Sequence, residues 1–263
     1  MKLLIVGDPH GVLPKRIPNE KFDAVIITGD LGKADEARKF YMNGLERERK
    51  NLPEIKKDLN FSKRVWKEIS SSSLKVIKFY SKIAPVYLIL GNVANKDSSV
   101  REEEKKYKIK LPHYIPLLRK MKNVNISKNV LRNFNGIKIG FVEHFLDVSW
   151  VNEFKPKDYN EQMKKARKQT KKAEKILKRF GKVDVLVCHA PPYGILDKVN
   201  FSGAPKNWQG KHAGSKVVLS YIKKYQPKYV FCGHIHEGKG VKKLGKTIIH
   251  NVGCCGDYLI KNI

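Results

Sequence analysis

Short apolar runs that stop at a glycine, aspartate, asparagine or histidine are the feature that most restricts the fold of this chain. They are Lys2–Val6, Ala24–Thr28, Val86–Leu90, Ile137–Val142, Val183–Cys188, Tyr229–Cys232 and Thr247–Val252. Runs of this length bounded by turn residues suit strands covered on both faces. Between them lie stretches with helical spacing, near 34–50, 62–82, 100–122, 158–181 and 214–225. Strands alternating with helices predict an α/β layered fold with a largely parallel sheet. The closer spacing around Ile137–Val142 and Thr247–Val252 leaves room for an antiparallel or mixed second sheet.

At 263 residues, without internal repeat or low-complexity linker, the chain reads as a single domain over 1–263. Basic helical insertions fall near 34–82, 97–122 and 155–182. In the last of these, Ala166, Thr170, Ala173, Ile176, Leu177 and Phe180 form an apolar stripe, which turns the lysines toward water. The formal charge of +29 draws polyanions, so nucleic acid is one expected partner. Long solvated lysines also serve solubility and heat tolerance. No apolar run approaches the ~18 residues of a membrane span, and the start lacks a secretory pattern. Cys188, Cys232, Cys254 and Cys255 show no paired spacing. A reduced, cytoplasmic protein is expected, with a homodimer as the base-rate assembly.

The strand ends carry the chemistry. Gly7-Asp8-Pro9-His10 follows the first strand, Gly29-Asp30 the second and Gly91-Asn92 the third. His189 follows Val183–Cys188, and Gly233-His234-Ile235-His236 follows Tyr229–Cys232. A lone Gly-Asp is ordinarily a turn and a lone histidine ordinarily structural. Five such stations in order, at the edge where open α/β sheets bind ligands, point to one site. Hard oxygen with imidazole nitrogen suits Mn²⁺, Fe, Zn²⁺, Co²⁺ or Ni²⁺ and not a closed thiolate zinc site. Seven donors exceed one tetrahedral ion and fit two.

These motifs resemble the signature of the calcineurin-like metallophosphoesterase superfamily: D-x-H, GD, GNH[D/E], H and GHxH. The resemblance implies a four-layer α/β fold of two packed mixed β-sheets flanked by helices. It implies one metal held by Asp8, His10, Asp30 and His236, and a second by Asp30, Asn92, His189 and His234, with Asp30 bridging. Two divalent ions are the implied cofactors, manganese foremost, with Ni, Fe, Co or Zn as alternatives. Two cations about 3.5–4 Å apart clamp the attacking and leaving oxygens of an in-line displacement and acidify a water held between them. The stretch Cys188–Gly194, with Gly233–Gly238, looks like a branch of small phosphodiesterases acting on cyclic nucleotides or model diesters.

The third motif departs from the pattern. Val93 stands where the family has a histidine after asparagine, and Ala94 follows in place of an acid. General acid help of this kind contributes about 10²–10⁴-fold, so reactions with poor leaving groups should suffer. His212, in a glycine-flanked loop, is a candidate replacement and phosphate contact; Lys96 and Tyr193 are candidate substrate contacts. The Asn207-Trp208 pair is a second candidate stacking platform beside Tyr193; His144 is a weaker candidate, and His250 and Asn251 border the cleft or pack in the core. Cys188 and Cys232 precede ligands and are expected on the opposite strand face as buried hydrophobes.

The expected function is hydrolysis of phosphate diesters, on small nucleotide or nucleic-acid substrates, by a dinuclear metal-dependent enzyme in which Asp30 and Asn92 are catalytic with His212. A catalytically weak metal-dependent nucleotide or nucleic-acid binder is one alternative, and a phosphomonoesterase of the protein-phosphatase kind is another.

Overall fold

A computed structural model describes residues 1–93 and 97–263. In chain order the elements are β1 (Lys2–Val6), β2 (Ala24–Ile27), α1 (Asp35–Arg49), α2 (Leu59–Tyr80), β3 (Val86–Leu88), α3 (Asp97–Tyr107), α4 (Tyr114–Lys120) and β4 (Val124–Ile126). There follow β5 (Val130–Phe134), β6 (Ile137–Val142), α5 (Val148–Phe154), α6 (Tyr159–Phe180), β7 (Val185–Cys188), α7 (Lys216–Tyr225), β8 (Tyr229–Cys232), β9 (Gly240–Leu244), β10 (Thr247–Asn251) and β11 (Tyr258–Asn262).

The strands form two sheets, ordered β11-β1-β2-β3-β4 and β5-β6-β7-β8-β10-β9. Inner neighbours run parallel, while β11, β5 and β9 pair antiparallel at the edges. One face of each sheet meets the other: Leu3, Ile5 and Ile26 pack with Phe141, Val187 and Phe231. The alternate residues Leu4, Val6, Val25 and Ile27 face Ile69, Val76, Ile77 and Leu118 of α2 and α4. Leu186, Val230 and Cys232 likewise face Leu177 of α6 and Ile222 of α7. Each inner strand is therefore covered on both sides, the physical reason its sequence is apolar throughout. The result is the expected arrangement of two mixed sheets flanked by helices.

Four strands escaped the sequence reading: β4 is three residues long, and β5, β9 and β11 are edge strands whose outward positions are polar or exposed. The helix expected over 100–122 is two helices, α3 and α4, separated at Pro112, which cannot donate a backbone hydrogen bond and restricts the residue before it. The short α5 was also missed; Asp147 caps it, accepting the Ser149 N–H at 2.8 Å. Helix α6 buries Met163, Ala166, Ala173, Leu177 and Phe180, which leaves its lysines on the outer face as expected.

Candidate metal centre

The two sheets bring their carboxyl edges together, and the turns leaving those edges carry the polar residues. Asp8 and His10 follow β1, Asp30 follows β2, Asn92 follows β3, His189 follows β7, and His234 and His236 follow β8. Three of them sit in the left-handed region that favours glycine: His10 at φ 45°, Asp30 at φ 36° and His234 at φ 65°. Such conformations cost on the order of 1–3 kcal/mol each and persist where the surroundings impose them. The His10 N–H donates to Asp30 O at 2.9 Å and the Asp30 N–H to Leu90 O at 3.1 Å, which ties the three turns of the first sheet together. At Gly91 and Gly233 a Cβ would run into the carboxylates of Asp30 and Asp8.

The side chains fall into two overlapping groups, Asp8 with His10 and His236, and Asp8 with Asp30 and His189. His10 Nε2 is 3.3 Å from His236 Nε2, and His236 Nε2 is 3.5 Å from Asp8 Oδ2. Asp30 Oδ2 lies between the groups, 3.9 Å from His10 Nε2 and 3.5 Å from His189 Nε2. Its other oxygen accepts the N–H groups of Asn92 at 2.9 Å and Val93 at 2.8 Å. Asn92 Oδ1 joins the second group 2.6 Å from His189 Nε2. Asp8 has less freedom to bridge: Oδ1 accepts from Thr28 Oγ1 at 2.9 Å and Oδ2 from the His234 N–H. The His234 ring stands beside His189, centroids 4.8 Å apart, but does not enter either tight group.

The electrostatics favour an added positive charge. Asp8 and Asp30 are buried, and among the described residues their ion pairs are to histidines. Burial is the largest effect and acts to raise both carboxyls, but His189 with His236 at Asp8, and His189 with His10 and the Val93 N–H at Asp30, together outweigh it, and both stay below the usual carboxylate range. Burial would lower His189, yet the carboxylates of Asp30 and Asp8 hold its proton up to about 10. His234 goes the other way, to about 3, through burial and the neighbouring His189. Burial also lowers His10, leaving a neutral ring able to coordinate. Two ionised carboxylates, imidazole nitrogens in contact and a carboxamide oxygen fit divalent cations of the borderline class.

Several supporting residues were not singled out from the sequence. Thr28 holds Asp8 through its hydroxyl, and its carbonyl oxygen lies 3.0 Å from His189 Nδ1, which orients that ring. Glu143 Oε1 accepts the N–H groups of Leu90 at 2.9 Å and Gly91 at 3.2 Å, so it positions the turn that presents Asn92. Burial pushes the Glu143 carboxyl up. Thr28 precedes a motif glycine, a weak signal; Glu143 had none, because it acts from the other sheet.

Of the further candidates, Lys96 lies outside the described residues. His212 is not brought to the metal ligands by any described contact. Its Nδ1 is 2.7 Å from the buried Asp197, and its ring packs on Tyr193, centroids 5.1 Å apart. The Tyr193 hydroxyl donates to Glu153 Oε2 at 3.1 Å, and Lys216 covers its ring. Neither His212 nor Tyr193 lines the cleft above the centre. His144 stands against His189 and His234, centroids 5.4 and 5.5 Å away. Asn251 supports the His234–His236 turn, donating from Nδ2 to Ile235 O at 2.7 Å, while His250 stacks on Phe231. Trp208 does line the cleft; Asn207 does not. Cys188 and Cys232 are buried on the helix-facing side, as expected.

A cleft of about 1580 Å³ opens from His10, Asp30, Asn92, His234 and His236. No helix among the described residues is long and apolar enough to cross a membrane.

Comparison with known proteins matches the profile described as calcineurin-like phosphoesterase to residues 1–238. Human "Metallophosphoesterase domain-containing protein 1" is 39% identical over 74 residues, 28% of this chain and 21% of that protein. The uncharacterized protein MJ1162 of Methanocaldococcus jannaschii is 38% identical over 69 residues, 25% of this chain and 29% of its own length. These matches thus span less than a third of the curated relatives. Among solved structures, one crystal structure aligns with a TM-score of 0.60 at 19% identity, covering 98% of this chain and 93% of that one. The structure titled phosphopantetheinyl hydrolase from Mycobacterium tuberculosis aligns at 0.52 with 15% identity, covering 97% and 90%. Both likenesses concern the fold. With the profile matched over most of its length, the chain belongs to the calcineurin-like phosphoesterase family, which supports a metal-dependent phosphoester hydrolase.

Proposed function

We propose that the protein is a dinuclear metal-dependent phosphodiesterase. The observation that carries this reading is that Asp30 Oδ2 lies 3.9 Å from His10 Nε2 and 3.5 Å from His189 Nε2, within reach of a ligand of each proposed cation. Asp8, His10, Asp30 and His236 would hold one cation, and Asp30, Asn92, His189 and His234 the other. Bound there, the cations would neutralise phosphate charge and acidify a water for attack at phosphorus. The chain's own residues orient and exclude: Thr28 fixes Asp8 and His189, Glu143 and Asp30 fix the Asn92 turn, and Asn251 fixes the His234–His236 turn. Manganese is the foremost candidate ion, with Ni, Fe, Co and Zn as alternatives.

The third motif weighs against phosphoserine-type monoesters, whose leaving group is a poor one. Val93 offers no proton to a departing alkoxide, so substrates with stabilised leaving groups suffer least. The test is to strip the protein, reload it with Mn²⁺, Ni²⁺, Co²⁺ or Zn²⁺, and assay bis(p-nitrophenyl) phosphate beside p-nitrophenyl phosphate and an Asp30→Asn control. Metal-dependent turnover of the diester, lost in the control, is the expected result. No turnover with two metals bound per chain would overturn the enzyme reading and leave a metal-dependent phosphate binder. Faster monoester turnover would make it a phosphomonoesterase.

A further inference from the structure

Helix α1 is a fifteen-residue helix with no buried residue, although it is amphipathic. Ala37, Phe40, Tyr41 and Leu45 repeat at helical spacing and border the cleft; Ala37 packs against the core and Phe40 on Phe61 of α2, centroids 4.6 Å apart, while Tyr41 is left exposed. The same cleft is lined by Trp150 and Phe154 of α5, with Phe201 and Trp208 of the connection between β7 and α7. Tyr41, Leu52 and Phe201 are 50%, 46% and 38% exposed, and all three line this one cavity. An apolar wall left wet forgoes about 25 cal/mol per Å², and a contiguous patch of this kind marks a binding surface.

The cleft is continuous with the metal centre and long. Arg38, on the first turn of α1, lies close enough for its charge to act on His10. At the other end Glu48 pairs with Lys157 at 3.1 Å, which ties the last turn of α1 to the loop between α5 and α6. Ten residues at 1.5 Å rise place Arg38 and Glu48 about 15 Å apart along the helix. An extended acyl chain spans about half of the ~30 Å hydrocarbon core of a bilayer, so one fits with its phosphate at the cations.

Charge argues against nucleic acid as the occupant. The described lining carries Arg38, Arg47, Lys57 and Lys157, but also Glu48, Glu54, Glu103, Asp158 and Glu237, besides the ligand Asp30. In a chain of formal charge +29 this wall is not basic, and the lysine excess of α6 lies on its outer face. A polyanion gains nothing here beyond its reacting phosphate.

We infer that the cleft receives the apolar chain of an amphiphilic phosphodiester: one phosphate ester linkage at the metal centre and a long alkyl or acyl group along α1. This rests on the diesterase reading above. In the assayed reaction the oxygen of water bonds to phosphorus and the P–O bond to p-nitrophenolate breaks. Alkyl hydrogen phosphate, which keeps one of the water's protons, and p-nitrophenolate are released, and the other proton goes to solvent.

The test uses the Mn²⁺-loaded protein with methyl, butyl and decyl p-nitrophenyl phosphates below micelle-forming concentrations. The expected result is a rise in kcat/KM with chain length approaching about fourfold per buried methylene. Leu45→Asp and Tyr41→Asp, both outside the core, should pull the decyl-to-methyl ratio toward one. A flat series with the methyl ester still hydrolysed overturns this inference and spares the diesterase. A thymidine oligonucleotide hydrolysed faster than the decyl ester also overturns it. If no ester is turned over, the diesterase reading is what fails, and calorimetric binding of decylphosphonate against methylphosphonate decides the occupant. Tighter decyl binding, weakened by Leu45→Asp, supports the apolar cleft; equal or absent binding overturns it.

Discussion

Asn92 Oδ1 lies 2.6 Å from His189 Nε2, although the two residues leave different sheets. His189 Nδ1 faces the Thr28 carbonyl at 3.0 Å, so a neutral ring would donate there and set its free lone pair against another acceptor. With Oδ1 facing the ring, the contact calls for positive charge, which a proton on Nε2 supplies and which a cation held by both residues would supply in its place. The carboxylates of Asp30 and Asp8 keep the proton in place up to about 10.

In the proposed centre, metal and proton would compete at His189. Its raised pKa means the proton must leave on metal binding at neutral pH, and that cost shrinks as pH rises. Apparent affinity at this position should increase about tenfold per pH unit from about pH 7, levelling off near the pKa. Calorimetry with Mn²⁺ in buffers of different ionisation enthalpy should report close to one proton released from this group. A pH-independent affinity between about pH 7 and 8.5 would contradict the arrangement.

Thr28→Val keeps the shape of the side chain but removes the donor to Asp8 Oδ1. Loss of an outer hydrogen bond to a ligating group typically costs about 10–100-fold in metal affinity. The measurement is metal content at equilibrium against a competing chelator, with circular dichroism to confirm the fold.

Gly233→Ala places a Cβ into the Asp8 carboxylate, which has no alternative position in a buried pocket. Metal retention should fall more than in Thr28→Val, and thermal stability should drop by about 1–3 kcal/mol, the usual cost of overpacking. Wild-type metal stoichiometry and affinity in this variant would show that Asp8 is not confined as described.

Asn251→Ala removes the donor to Ile235 O at 2.7 Å and to Leu196 O at 3.1 Å. The Ile235 carbonyl keeps the Gly238 N–H at 3.0 Å, so each lost hydrogen bond costs about 1 kcal/mol, and the turn carrying His234 and His236 loses its brace. Both Tm and metal affinity should decline, whereas a surface effect would move neither.

Val93→His tests the departure in the third motif. The Val93 N–H, not its side chain, holds Asp30 Oδ1, so the substitution leaves that hydrogen bond in place. Turnover of a diester with an aliphatic leaving group should rise relative to the p-nitrophenyl diester, by up to about 10²-fold if the ring reaches the leaving oxygen. An unchanged ratio would mean that general acid help is not what limits the proposed reaction.

Much of the fold was legible in residue order because inner strands covered on both faces must be apolar throughout, as Lys2–Val6 and Tyr229–Cys232 show. The edge strands β5 and β9 were not, since one face meets water and the apolar signal halves. The seven candidate ligands were readable one by one, each a polar residue directly after a strand, and local spacing is all that such a reading needs. The left-handed turns at His10, Asp30 and His234 were not readable, because hydrogen bonds between turns impose them. Nor was the placement of His212 on Asp197, away from the cleft. Glu143 was invisible for the same reason, since its partners are backbone N–H groups more than fifty positions away. The apolar cleft depends on where α1 rests against α2, with α5 lining the same cavity. A helical stripe announces that it wants covering; which surface or ligand covers it is settled by long-range packing, and that packing left the stripe of α1 bordering the cleft that opens from the metal centre.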